Sequence, residues 1–425
     1  MNTPATPALR LFVLISVCFA AAARAAEWPQ FRGPTGQGLA GDARLPSHWD
    51  GGKNRVWTVQ PPGTGWSSPI VAGDRIFLTS AIPVPGTGGE PDHDLAVLAL
   101  DAATGEPIWR CDLFRQKASE APRIHKKNSH ASPTPVFEDG RIYAHFGHMG
   151  TGCVDARDGR VLWSTRQHAY APVHGNGGSP VLAGDLLVFT ADAASDPAVI
   201  ALRKRDGKTA WRTPRQSAAN RSFSFCTPLV IDNGGRPQII APGSGVVQAL
   251  NPRDGSEIWR VHYGQGYSVV PRPVFAGGLL YICTGYDKPE LLAIRVTPDL
   301  RGDVTDSAVA WTQGKYIPHN PSPLWHDGKL YLLADNGILS CLDAATGEPF
   351  FQERCTGPAS ASPLLAGGLL YLTDERGMTA VVEPGTGLKI VARNDLEERV
   401  LASPVPLGSD LLLRTETALH RIGAR

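Results

Sequence analysis

Leu98-Ala99-Leu100-Asp101-Ala102-Ala103-Thr104-Gly105-Glu106-Pro107-Ile108-Trp109 is an apolar run that ends in Asp-x-x-x-Gly, followed by a second run that ends in Trp. Physically this is a strand, a tight turn with Gly where φ must be positive, and a returning strand. The same phrase recurs. Val154-Asp155 leads through Asp158-Gly159 to Trp163, and Leu202 through Asp206-Gly207 to Trp211. Leu250-Asn251 leads through Asp254-Gly255 to Trp259, and Leu342-Asp343 through Thr346-Gly347 to Phe350-Phe351. A hairpin closed this often by a large aromatic is the mark of a repeat architecture.

Each repeat also has an opening. Ser68-Pro69, Ser132-Pro133, Ser179-Pro180, Thr227-Pro228, Arg272-Pro273, Ser322-Pro323, Ser362-Pro363 and Ser403-Pro404 each precede an apolar strand. Pro is tolerated at the head of a strand, where a ladder donor is dispensable. The spacing is that of a four-stranded propeller blade. The last repeat supplies Leu411 to Arg414 and Ala418 to Ile422 and then stops. An orphan strand, Val56 to Val59, carries a Trp like the other fourth strands and fits the gap. The expected fold is all-β: eight four-stranded antiparallel blades in one ring, closed by an N-terminal strand in the last blade. A solenoid would need capping repeats and would leave the orphan strand unused.

The 425 residues are 19% charged with a formal net charge of +1, which gives no reason to expect nucleic acid or an acidic membrane surface as partner. Leu11 to Ala23 form an apolar run behind Arg10, followed by Ala23-Arg24-Ala25. This reads as an export signal cleaved after Ala25, since the run is short for a membrane anchor. Residues 1–25 are then the signal, 26–54 a Gly/Pro-rich lead-in and 55–425 the propeller. The mature chain is expected in the periplasm or outside the cell, without a membrane span and as a monomer. Cys18 leaves with the signal; Cys153 and Cys341 share a repeat position with Ala99, Ala201, Ala249 and Ala293, so they read as small core residues.

The hairpin wording A-L-D-x-x-T-G-x-x-x-W resembles the tryptophan-docking repeat of PQQ-like eight-bladed propellers. That group includes quinoprotein alcohol dehydrogenases and BamB-type outer-membrane assembly lipoproteins. WD40 signatures are missing. Trp28-Pro29-Gln30-Phe31-Arg32-Gly33-Pro34, Lys127-Asn128-Ser129-His130-Ala131-Ser132-Pro133, His174-Gly175-Asn176-Gly177-Gly178-Ser179-Pro180 and Gly266-Tyr267-Ser268-Val269-Val270-Pro271-Arg272-Pro273 are similar to exported, planctomycete-type propellers called PQQ-binding-like. The resemblance implies architecture and compartment. It does not fix an activity, because the fold hosts enzymes and scaffolds alike.

In the dehydrogenases of this resemblance, PQQ lies between a Trp and two adjacent disulfide-bonded cysteines. A Ca²⁺ held by Glu, Asn and Asp polarises the quinone. This chain has no adjacent Cys pair and few insertions. An exported non-catalytic scaffold for a protein, peptide or small molecule, with no cofactor, is therefore the expected function. A quinone-dependent oxidoreductase with PQQ and calcium is the alternative. The recurring tryptophans read as inter-blade packing. His145 and His148 could seat a metal but have no sequence neighbours to complete a set, and no metal is expected. Asp92-His93-Asp94 reads as a loop that could hold a cation, and Asp303 and Asp306 as a solvated loop. No catalytic residue is singled out.

In a propeller, the residues that lead into the innermost strand rim the channel mouth. Those positions hold Trp66, Ser129-His130, His174 and Asn176, Phe223 and Phe225, Tyr267 and His319-Asn320 in six repeats, and only Ala359-Ser360 and Val400-Leu401 in the last two. The linker Cys111 to Ser129, with His125, Lys126, Lys127 and Asn128, is expected to flank the mouth. An aromatic and hydrogen-bonding rim is what a concave recognition site needs. The ligand-binding residues expected here are Trp66, His125, Asn128, His130, His174, Asn176, Phe223, Tyr267, His319 and Asn320.

Overall fold

A computed structural model describes residues 27–50, 52–85 and 90–423. The segment read as an export signal lies outside these residues. Eight sheets with four-stranded antiparallel blades follow one another along the chain, one of them extended by a fifth, parallel strand. The first blade is built from Ile70–Ala72, Arg75–Val84, Asp92–Asp101 and Pro107–Gln116. The eighth is closed as expected. Arg55–Val59 pairs antiparallel with Leu419–Ile422, with Thr58 opposite His420 and Val59 opposite Leu419. The propeller ring is therefore sealed by the two ends of the chain, and the strand edge that an incomplete blade would expose is covered.

A large-against-small pair recurs at the heart of most blades. Ala99 faces Trp109, Cys153 faces Trp163, Ala201 faces Trp211, Ala249 faces Trp259, Ala293 faces Trp311 and Cys341 faces Phe351. The small residue leaves room for the ring. Most of these indoles also reach the next blade. Trp109 Nε1 donates to Ala156 O at 3.2 Å and Trp163 Nε1 to Lys204 O at 2.8 Å. The rings lie against the turn glycines of those blades. Gly159 has φ +74°, and a Cβ on it would stand 2.7 Å from Trp109 Cε3. Gly159→Ala combines a left-handed backbone with overpacking and should lower unfolding free energy by roughly 2–4 kcal/mol. Chemical denaturation reads this directly; a variant as stable as the parent would refute the account of the inter-blade joint.

The blades are also tied around the axis. The Ser68 N–H donates to Thr134 Oγ1 at 3.0 Å, Thr134 N–H to Ser179 Oγ at 2.9 Å and Ser179 N–H to Thr227 Oγ1 at 2.9 Å. After Arg272 the belt resumes through Ser322, Ser362 and Ser403, and Ser403 N–H returns to Ser68 Oγ at 3.1 Å. The belt corrects one alignment. The second blade opens at Thr134-Pro135, two residues after Ser132-Pro133, and its first strand is Val136–Glu138.

The lead-in is built into the channel. Trp28 and Val71 exchange backbone hydrogen bonds, and Phe137 N–H donates to Pro29 O at 2.8 Å. Phe275 N–H donates to Gln37 Oε1 at 2.8 Å, and Leu365 N–H to Gly38 O at 2.9 Å. Val71, Phe137, Phe275 and Leu365 occupy the same position on four innermost strands, three residues after the belt residue. The lead-in thus satisfies donors on inner strand edges that no blade can reach, and it closes one end of the channel.

Three shorter readings change. Asp92, His93 and Asp94 are strand residues of the first blade, where Asp94 pairs with Arg110 and Arg115. Asp303 lies in Gly302–Asp303, which pairs parallel with the fourth strand of blade four, and Asp306 lies in the short helix Thr305–Ala308. The linker begins after Gln116, because Cys111 still belongs to Pro107–Gln116.

Candidate functional site

The open end of the channel is a cavity of about 320 Å³. Phe31 of the lead-in lines it, as do the belt hydroxyls Ser68, Thr134, Ser179, Ser322, Ser362 and Ser403. Above the belt the cavity is asymmetric. One side is a chain of rings. His125 and His174 lie with centroids 5.6 Å apart, His174 and Phe223 5.6 Å, and Phe223 and Tyr267 5.3 Å. Tyr267 and Tyr286 follow at 6.1 Å, and Tyr286 stacks on His319 at 4.2 Å. The Arg221 guanidinium lies 4.5 Å from the centre of the Tyr267 ring. These separations are those of edge-to-face and offset aromatic contacts, which hold the rings in place while leaving faces for a ligand.

The other side carries charge. Lys127 crosses from the linker to blades six and seven, 2.7 Å from Glu375 and 3.9 Å from Asp335. Arg399 donates to Lys126 O and lies 5.4 Å from the Trp66 ring centre. The linker therefore spans part of the mouth, and its lysine is neutralised there. Burial works to raise the Asp335 carboxyl, but hydrogen bonds from the His319 ring and N–H and from Asn320 outweigh it and hold the group below its ordinary value.

Trp66, His125, Asn128, His174, Phe223, Tyr267 and Asn320 line the cavity together. His130, Asn176 and His319 do not line it. His130 turns into the blade joint, with Nδ1 3.0 Å from Gln116 Nε2 and its ring 4.9 Å from that of His93. Asn176 is buried under Gly147 and meets His148 Nδ1 at 3.0 Å. His319 stands behind Tyr286. Lys127, Ser268 and Tyr286 join the cavity, the last from the loop between the second and third strands of blade five. His145 is a packed residue: it stacks on Phe189 at 4.1 Å, bonds Thr151 Oγ1 at 2.9 Å, and burial pushes its pKa down to about 3.

The profile of a PQQ-repeat family, described as outer membrane protein assembly factor BamB, matches residues 93–313 and 301–390. The chain belongs to this family. A polyvinylalcohol dehydrogenase of Pseudomonas sp is 25% identical over 261 residues, 53% of this chain and 41% of that protein. BamB of Burkholderia pseudomallei is 28% identical over 224 residues, 51% of this chain and 49% of that protein. The chain thus matches less than half the length of either relative. In structure, BamB from Moraxella catarrhalis aligns with a TM-score of 0.58 at 14% identity, covering 87% of this chain and 99% of that one. A europium-containing methanol dehydrogenase aligns at 0.53 and 12% identity, over 93% and 90%. These structural likenesses show the shared propeller fold.

Some of the family's relatives being dehydrogenases, the donor set matters. Cys111, Cys153, Cys226, Cys283, Cys341 and Cys355 are buried free thiols, none adjacent to another. Burial pushes Cys111 up to about 11 and Cys226 up to about 12, so they are inert packing groups. Among the described residues no group of three or more His, Cys, Asp and Glu side chains could hold a metal ion. The carboxylates behind the cavity wall are already engaged, Asp335 by His319 and Asn320 and Glu375 by Lys127 and Ser360. These residues do not fit a quinone held on a vicinal disulfide with a coordinated cation. Among the described residues no helix is long and apolar enough to cross a membrane.

Proposed function

We infer that this protein is an exported, non-catalytic propeller that holds a protein or peptide partner at the open mouth of its channel. The observation that carries this reading is the continuous arc from His125 through Phe223 and Tyr267 to Tyr286. Tyr286 in that arc is 37% exposed, although the blade packs without it. Rings kept at a solvent-facing rim above a hydroxyl-lined wall suit an inserted apolar or aromatic side chain whose backbone needs polar contacts. Relatives named as outer membrane assembly factors support a macromolecular partner, and a periplasmic or extracellular setting.

The test uses protein purified from an exporting host and native mass spectrometry. A bound species should accompany the parent and be lost, by at least tenfold in occupancy, from Phe223→Ala/Tyr267→Ala/Tyr286→Ala. The melting temperature should change little, because these rings are only partly buried. The same spectrum should show a chain beginning at Ala26. Equal retention by the triple variant would place recognition elsewhere. Dye-linked alcohol oxidation after addition of PQQ and Ca²⁺ would overturn the non-catalytic reading.

A further inference from the structure

Three guanidiniums are buried near the channel. Arg32 is 3% exposed, Arg272 2% and Arg414 4%. No carboxylate contributes to the electrostatics of any of them. A buried cation without a counter-charge is costly unless its N–H groups are well satisfied. The fold does this for two. Arg272 donates from Nε to Pro228 O at 3.0 Å, from Nη2 to Gln30 Oε1 at 3.2 Å, and from Nη1 to Phe31 O. Arg414 Nη1 donates to Ser67 Oγ at 2.6 Å, Thr79 O at 3.0 Å and Ser67 O at 3.1 Å.

Arg32 differs. Its Nη2 donates to Gln37 O at 2.7 Å, while Nε and Nη1 are buried with no hydrogen-bond partner. Arg272 adds a second positive charge nearby. Burial first, and Arg272 second, push the Arg32 guanidinium down to about 9. The lead-in holds this arrangement closely. Arg32 itself has φ 64°, a left-handed conformation uncommon outside glycine. A Cβ on Gly38 would stand 2.7 Å from Arg32 Nη2 and 2.8 Å from Pro363 O. The backbone is thus packed against the guanidinium where a side chain would displace it.

We propose that Arg32, backed by Arg272, forms an anion-binding site at the closed end of the channel, taking a halide or one oxygen of a small oxyanion. The anion accepts the protons that Nε and Nη1 leave unused and supplies the missing counter-charge. This site is separate from the open mouth and stands whether or not that mouth binds a partner.

The test is thermal unfolding of the full mature chain at constant ionic strength, with bromide, sulfate and acetate titrated separately. The parent's melting temperature should rise with at least one anion and level off, as for a ligand that binds only the folded state. The arm that saturates at the lowest concentration distinguishes a halide site from an oxyanion or carboxylate site. Arg32→Met fills similar volume without charge and should fold, since apolar replacement of a buried charge is often neutral or better. It should lose the saturable response. A parent without saturable response, or a variant that keeps it, overturns the site. Should the variant fail to fold, parent crystals soaked in the anion whose arm saturates at the lowest concentration decide: density for that anion in contact with Arg32 supports the site, and its absence overturns it.

Discussion

Deleting residues 28–60 should abolish the soluble monomer. The segment acts in three places. Arg55–Val59 is the fourth strand of the eighth blade, and without it the Leu419–Ile422 strand becomes a bare edge. Trp57 reaches the first blade, where Nε1 donates to Ala102 O at 3.3 Å and the ring lies against Gly105. Trp28, Leu45 and Trp49 belong to the core cluster shared by blades seven, eight and one. Burial of each such side chain contributes roughly 1.5–3 kcal/mol, so the three approach the roughly 5–15 kcal/mol by which a whole domain is stable. Size-exclusion chromatography and circular dichroism should show aggregation, or a melting temperature lowered by more than about 10 °C. A deletion of 28–50 keeps the closing strand and should remain a soluble but weaker ring. If the longer deletion melts like the parent, ring closure does not depend on this strand.

This result also separates what the sequence reveals from what it hides. Asp101 to Trp109 carries its own physics: an acceptor for the turn N–H groups, a left-handed glycine and a ring, all within a few residues. Local readings of such a phrase survive folding, and the blades, their number and their closure follow from it. The lead-in has no such phrase. It meets four inner strands in turn at irregular intervals, so its Gly/Pro-rich stretch has no period although Trp28, Gln37 and Gly38 all bond to equivalent positions. Ser132-Pro133 and Thr134-Pro135 are locally alike, and only the hydroxyl belt around the axis tells them apart. At the mouth, place in the repeat located Trp66, His174, Phe223 and Tyr267. It could not say which way a side chain turns: His130 finds Gln116 and Asn176 finds His148, both away from the cavity. Tyr286 comes from a hairpin loop folded back onto Tyr267 through an isolated bridge, a contact with no local signal.

Asp192→Ala should cost roughly 3–5 kcal/mol of unfolding free energy, the usual loss when one member of a buried ion pair is removed. Asp192 and Arg215 have side chains 0% and 2% exposed. Their contact is bidentate, with Nε to Oδ1 and Nη2 to Oδ2 both at 2.9 Å. The guanidinium also donates to Ala241 O, to Pro242 O at 3.1 Å and to Gln248 Oε1 at 3.3 Å. Asp192 follows the second strand of blade three, and Ala241 lies on the second strand of blade four, so the pair staples two blades. Removing the carboxylate leaves a cation in a dry joint, held only by carbonyl and amide acceptors. Burial raises the Asp192 carboxyl above its ordinary value, with Arg215 working against that rise. The pair is therefore not a large net gain over apolar packing; it is a commitment that cannot be half undone. Asp192→Leu combined with Arg215→Met should accordingly recover most of the stability lost by either single change. Urea denaturation of the two single variants and the double variant measures this as a coupling free energy. Additive losses would show that the two side chains stabilise blades three and four separately.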